Sequence, residues 1–250
     1  MREFLEGSRA VAQIIKLCKP GVISAYPITP QTHIVEELAQ MVADKELNAQ
    51  FINVESEHSA ASVVLGASAT GVRAYTATSS QGLLYMGEVI FNIAGMRLPL
   101  VLTCANRAVS APINIWNDQQ DSLSLRDAGW VQLYAENLQE VVDFHLMGYR
   151  IAEDKSMMVP VMVCMDGFIL THGIEIVDIP EQEKVDKFLP AYRALYKLDP
   201  DEPLSMGLLA DPDYYTETRY ALNETLLQAL KFIPKVSGEF KAIFGRDYKD

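Results

Sequence analysis

The chain has 250 residues, 49% of them hydrophobic, and a formal net charge of −12. This supports one large α/β domain or two small ones around a sizeable core, and the acidic balance, with no clustered Lys and Arg, excludes a nucleic-acid phosphate backbone as partner. No stretch approaches the ~20 apolar residues of a spanning helix, and Lys16 and Lys19 stand where a signal peptide needs apolar residues, so the expectation is a soluble, cytoplasmic protein with no membrane contact.

From Ser8 onward, Val11, Ile14, Ile15 and Cys18 make one apolar helical face, which Pro20-Gly21 ends. Residues 22–26 read as a strand. In the following YPITP segment, Thr29 is placed as an N-cap and Pro30 at the first helical position, where its missing N–H costs nothing. The helix after it buries Ile34, Val35, Leu38, Ala39 and Val42. Residues 51–54 read as a second strand and 59–69 as a helix of Ala, Ser and Gly, with the carboxylate of Glu57 between the two.

Residues 72–78 form the third expected strand, SSQG (79–82) a polar turn, and 83–94 a helix that Gly95 ends. A fourth strand over 98–105 precedes a polar loop, NRAVSAPINIWNDQQDSLSLRD, long enough to suggest function. A weaker strand over 130–134, a helix over 137–155 and a strand over 159–165 follow. Beyond Ile179, Pro180, Pro190, Pro200, Pro203 and Pro212 interrupt a charged segment that reads as a wrapping arm. Tyr220, Leu226, Leu227, Leu230 and Ile233 suggest an amphipathic helix stopped by Pro234, with a second helix carrying Val236, Phe240, Ile243 and Phe244; this stripe is a candidate partner-facing surface. Residues 1–180 are the expected main domain, and 181–250 an arm with amphipathic helices that makes a subunit contact or leads to a further domain.

Alternating strands and helices imply an α/β fold with a mostly parallel sheet and helices on both faces. Ligands bind in such sheets beyond the C-terminal ends of the strands. Residues 26–29, Glu57, 79–81 and Asn106-Arg107 each follow a strand, so one edge collects them. On spacing alone, Glu57 could equally be a surface carboxylate complementing a helix N-terminus.

Other motifs are absent. Gly66 and Gly71 have P-loop separation, but Val72-Arg73 stands in place of Lys and Ser/Thr, and no GxGxxG opens a helix. Cys18, Cys104 and Cys164 are scattered in apolar contexts without a CxxC pair, so no iron-sulfur cluster or structural zinc is expected on this chain alone, since either needs about four closely spaced soft ligands, and no metal-binding residue is expected. His33 and His145 read as helix residues, and His58 alone adjoins Glu57. Ser79 and Ser80 lack an evident base partner.

YPITP, VESEHSA, TATSSQGLL, NRAVSAPINIWNDQQD and DGFILTH occur in this order over residues 7–172, and with them the chain closely resembles the pyruvate:ferredoxin oxidoreductase (2-oxoacid:ferredoxin oxidoreductase) family, specifically its alpha chain. The resemblance implies a thiamine diphosphate-binding fold of which this chain is the pyrimidine-binding domain, with the diphosphate and its Mg²⁺ on a beta chain and iron-sulfur clusters on partner chains. Glu57 matches the glutamate that hydrogen-bonds N1′ of the aminopyrimidine and promotes proton exchange there. Thr29 and Arg107 match positions that hold the 2-oxoacid carboxylate. Tyr26, Pro27 and Ile28 would line the pyrimidine pocket, with Ser80 and Gln81 near the cofactor.

The implied activity is oxidative decarboxylation of pyruvate with coenzyme A to acetyl-CoA, CO₂ and reduced ferredoxin, catalysed only with beta, gamma and delta type subunits. Thr29 supplies no cation for a second carboxylate, which favours pyruvate, while other 2-oxoacids stay open. A non-redox thiamine diphosphate enzyme and a non-catalytic assembly subunit are the alternatives. For residues 112–121, an approach to substrate or coenzyme A and a role in a subunit contact both stand.

Overall fold

The computed structural model describes residues 2–248. In chain order they form β1 (Arg2–Glu6), α1 (Gly7–Cys18), β2 (Val22–Ile23), α2 (Thr32–Ala43), β3 (Gln50–Phe51) and α3 (Glu57–Ala69). There follow β4 (Ala74–Thr78), α4 (Ser80–Tyr85), α5 (Gly87–Gly95), β5 (Val101–Asn106), α6 (Gln120–Ser124), β6 (Val131–Ala135) and α7 (Leu138–Ala152). The chain continues through β7 (Val161–Asp166), α8 (Ile169–His172), β8 (Ile174–Asp178), α9 (Gln182–Phe188) and α10 (Tyr215–Phe244).

Six strands make a parallel sheet in the order β3-β2-β4-β5-β7-β6. Its centre is buried on both faces, as in a parallel sheet covered by helices: every residue of β4 and β5 is buried. Each side of α1 that faces the sheet carries an aliphatic residue, with Val11, Ile14, Ile15 and Cys18 fully buried. The three cysteines are buried and free, and burial pushes the Cys18 thiol up to about 12. No helix among the described residues is long and apolar enough to cross a membrane.

Several expected elements differ. The strands expected over 22–26 and 51–54 shorten to two residues each, because the chain leaves the ladder as soon as it reaches the sheet edge. Thr29 is not an N-cap: Thr29 and Pro30 lie in a turn and α2 begins at Thr32, behind Gln31. The helix expected over 83–94 is two helices, and the first starts within the SSQG turn at Ser80.

A second, two-stranded sheet pairs β1 with β8 antiparallel, Phe4 opposite Ile176. The sequence reading had placed its last strand before β8. The arm beyond α9 runs along the N-terminal edge of the main sheet, where the buried Arg73 guanidinium donates to Pro190 O at 2.9 Å and to Cys18 O at 2.5 Å. Glu153 balances that charge through a two-pronged ion pair at 2.5 and 2.7 Å.

Helix α10 runs through Pro234 without stopping. Proline removes one backbone hydrogen bond, but Pro234 and Leu230, whose carbonyl loses its partner, are on the exposed side, where water replaces it. The buried side carries Leu222, Ala229, Val236 and Phe240, and Tyr220, Leu227 and Leu230 stand exposed. The end of α10 is tied to α7: Arg246 donates to Asp143 Oδ2 and Oδ1 at 2.5 and 2.8 Å, and Tyr248 OH donates to Oδ2 at 2.6 Å.

Candidate active site

At the C-terminal edge of the sheet the chain turns from β3 into α3 through Ser56. Ser56 is extended (φ −161°) and its Oγ accepts from Ser59 N at 3.2 Å, an N-cap that contributes about 1 kcal/mol. Glu57 is thereby the first residue of α3, where the helix dipole favours a negative charge. Its side chain turns inward, 8% exposed, and makes no hydrogen bond to another described residue. What faces it is Gly82: a Cβ there would come 2.7 Å from Glu57 Oε1 and 2.7 Å from Thr78 Oγ1. The Thr78 hydroxyl is buried and also unpartnered among the described residues.

Next along the edge, β5 ends in Asn106 and Arg107 follows it, both buried. The guanidinium of Arg107 bridges two other strand ends: Nη1 donates to Thr29 O at 2.6 Å and Nη2 to Gln81 Oε1 at 3.2 Å. Its Nε is buried without a partner among the described residues. Burial holds the Arg107 pKa below the ordinary arginine value, and the nearby charge of Asp121 opposes that shift.

Asp121, from α6 in the long loop, organises this region. It is fully buried, and its Oδ2 accepts from the backbone N–H groups of Ser80 (2.8 Å) and Arg107 (3.1 Å). Its Oδ1 accepts from Asn106 Nδ2 and Ser122 N, each at 2.8 Å. Ser80 has a left-handed backbone (φ +53°), a conformation that costs a non-glycine residue about 1 kcal/mol. The Asp121 bond and the 2.6 Å contact of Ser80 Oγ with Ala108 O hold it there.

The segment after β2 is braced from beneath by Gln31, fully buried, which donates from Nε2 to Ala77 O at 2.6 Å and accepts from Ile28 N at 3.3 Å. Ile28 is half-buried, and Tyr26, Pro27 and Thr29 stand exposed above it.

Thr29, Ser80, Gln81 and Arg107 are therefore one hydrogen-bonded group, linked through their backbones as much as their side chains. Glu57 joins it through Gly82, on the same helix as Ser80 and Gln81. Tyr26 and Pro27 share the edge but make no side-chain hydrogen bond with it among the described residues. The two larger described cavities lie elsewhere: one of about 520 Å³ lined by Lys19, Gly21, Arg73 and Tyr192 at the opposite edge of the sheet, and one of about 550 Å³ lined by Arg150, Phe188 and Glu239; volume alone points away from this chemistry.

Three residues escaped sequence reasoning. Asp121 gives no local signal, because an acid in a polar loop is ordinary until its partners are known. Gln31 is equally silent. Gly82 did carry one: glycine inside a helix costs about 1 kcal/mol against alanine, which asks what an alanine would strike.

The family described as pyruvate flavodoxin/ferredoxin oxidoreductase, thiamine diphosphate-binding, matches residues 14–237. Among curated proteins, the pyruvate synthase subunit PorA of Methanothermobacter thermautotrophicus is 54% identical over 98% of this chain and 64% of its own length. PorA of Methanosarcina barkeri is 55% identical over 97% and 60%. The ketoisovalerate oxidoreductase subunit VorA of Pyrococcus abyssi is 47% identical over 100% and 63%. The chain thus spans less than two thirds of the length of these relatives. Among solved structures, a 2-oxoglutarate:ferredoxin oxidoreductase from Magnetococcus marinus superposes with a TM-score of 0.71 at 21% identity, over 91% of this chain and 45% of that one, a likeness of fold. With a match that runs from α1 into α10, this chain belongs to the pyruvate flavodoxin/ferredoxin oxidoreductase, thiamine diphosphate-binding family.

Proposed function

We propose that the chain is the pyrimidine-side subunit of a pyruvate:ferredoxin oxidoreductase, catalysing with its partners the conversion of pyruvate and coenzyme A to acetyl-CoA and CO₂ with reduction of ferredoxin. The observation that carries the reading is the inward carboxylate of Glu57, with no protein partner among the described residues and with Gly82 and the unpartnered Thr78 hydroxyl against it. A heteroaromatic ring that carries an N–H suits this carboxylate, because it supplies the hydrogen-bond donor that the described residues do not. Bound thiamine diphosphate supplies a nucleophilic carbon for the 2-oxoacid carbonyl and an electron sink once CO₂ has left.

This chain's residues do the rest. Glu57 accepts a hydrogen bond from ring nitrogen N1′ and holds the proton there. Tyr26, Pro27 and Ile28 flank the ring, and Ser80 and Gln81 border it. Arg107, fixed by Thr29 O and Gln81 through its guanidinium and by the Asp121 carboxylate through its backbone N–H, has an Nε with no partner among the described residues, and with the Thr29 hydroxyl it would hold the substrate carboxylate. Residues 1–180 act as the pyrimidine domain and the arm from 181 on braces it. Mg²⁺, the diphosphate site and the iron-sulfur clusters belong to beta, gamma and delta type partners in the cytoplasm.

The test is Glu57→Ala in the assembled enzyme, with pyruvate- and coenzyme A-dependent viologen reduction as the readout. A loss of ~10²- to 10⁴-fold is expected, and near-normal turnover overturns the reading. A second reading, 2-oxoisovalerate as substrate, draws on the 47% identity to a ketoisovalerate oxidoreductase subunit; comparing kcat/KM for the two acids decides between them. Activity without an electron acceptor would mark a non-redox enzyme, and failure to bind thiamine diphosphate with all partners present would mark an assembly subunit.

A further inference from the structure

On another face, three segments distant in sequence bring together two imidazoles and a carboxylate. Glu6 ends β1, His33 lies in the first turn of α2 and His172 ends α8, and one potential ligand atom from each lies within 4.8 Å of the others. Glu6 Oε1 is 2.7 Å from His33 Nδ1, and the His33 and His172 rings are 4.8 Å apart between centroids. We infer that Glu6, His33 and His172 form a binding site for one divalent transition-metal ion of the zinc class.

Two histidines and one carboxylate are a donor set for borderline metals, and leave coordination positions open. Bonds of about 2.0–2.1 Å put donor atoms about 3 Å apart in octahedral and about 3.4 Å in tetrahedral geometry, so the three atoms need to close by no more than roughly 2 Å through side-chain rotation. His172 is prepared for this. Its Nδ1 is engaged by Thr171 Oγ1 at 2.8 Å and its ring stacks on Phe168 at 4.8 Å, which fixes the imidazole and leaves Nε2 without a hydrogen-bond partner among the described residues.

Glu36 and Glu37 line the adjoining 400 Å³ cavity with Glu6 and His33, so carboxylates outnumber its one cation, Arg9. The backbone around the site is already stitched: Gly7 N donates to Gly173 O at 3.0 Å and Ser8 Oγ to Thr171 O at 2.9 Å. An ion here clamps the start of α2 to that seam. The inference is independent of the thiamine reading.

Equilibrium dialysis against Zn²⁺, with bound metal measured by elemental analysis, tests it on the full chain with its co-purifying subunits. Wild type is expected to hold one more equivalent than His33→Ala and His172→Ala, with affinity at least tenfold weaker in each variant and intermediate in Glu6→Gln. Co²⁺ is expected to give a ligand-field absorption difference between wild type and His33→Ala. His33 is on the surface, its side chain 46% exposed, so its alanine variant keeps the fold even where His172→Ala does not. Equal stoichiometry and affinity in wild type and His33→Ala overturns the site.

Discussion

Glu57 and Gly82 are in direct contact: the carboxylate occupies the space a side chain at 82 would claim, so that even a methyl group would come 2.7 Å from Oε1 and 3.0 Å from Cγ. Gly82→Ala therefore displaces the carboxylate while relieving a glycine inside a helix, a gain of up to about 1 kcal/mol in propensity. The same methyl meets the buried Thr78 hydroxyl at 2.7 Å, an overpacking cost of about 1–3 kcal/mol that outweighs the propensity gain, so the expected outcome is a protein of lowered melting temperature whose turnover drops at least tenfold. Calorimetry and viologen reduction on the same preparation check both halves.

Asp121→Asn retains one carbonyl oxygen but sets an amide NH₂ against N–H groups that now converge on a carboxylate. Leaving buried donors unsatisfied costs about 1–3 kcal/mol, and the backbone of Arg107 and Ser80 shifts with it. Urea denaturation should register the stability loss, and KM for the 2-oxoacid should rise.

Arg107→Lys keeps the charge and loses the fork. A single ammonium cannot span Thr29 O and Gln81 Oε1 as Nη1 and Nη2 do and also present a third donor. Roughly a tenfold or greater rise in KM for the 2-oxoacid is expected in steady-state kinetics, with thiamine diphosphate affinity unchanged.

The buried His145 predicts an acid sensitivity. Its Nδ1 lies 2.6 Å from the Val141 carbonyl, which can only accept, so the proton is on Nδ1 and Nε2 accepts from the Thr103 hydroxyl at 2.6 Å. Burial pushes its pKa down to about 4 from 6.5. The unfolded chain binds a proton that the native state refuses, so this contribution is complete above about pH 6.5 and lost as the pH falls towards 4. At pH 5 the cost is about 2 kcal/mol relative to pH 7. Urea titrations at the two values measure it, and His145→Gln should flatten the difference.

What was legible followed from local pattern. Apolar runs marked β4, β5 and β7, and the turns after them pointed to the edge where Glu57, Ser80 and Arg107 stand. What escaped depends on partners far along the chain. β1 and β8 gain their ladder only from each other, across most of the main domain. Pro234 read as a stop because a sequence does not say which side of a helix faces water. Thr29 looked like a cap, and its carbonyl instead receives the guanidinium of Arg107. Asp121 matters through four donors, two of them backbone groups of the site residues.

The long loop is fastened to the sheet edge at both ends, by Arg107 and Ala108 at its start and by Asp121 and Ser122 at its close, while Ile113 and Trp116 nearer its tip are exposed. Its two stretches thus stand under opposite constraints on length. A residue gained or lost between 110 and 117 alters reach and leaves the register of the edge intact, whereas one gained or lost between 119 and 122 slides a single carboxylate and moves Ser80, Asn106 and Arg107 together. What the loop touches can change at its tip without disturbing the frame that its base holds.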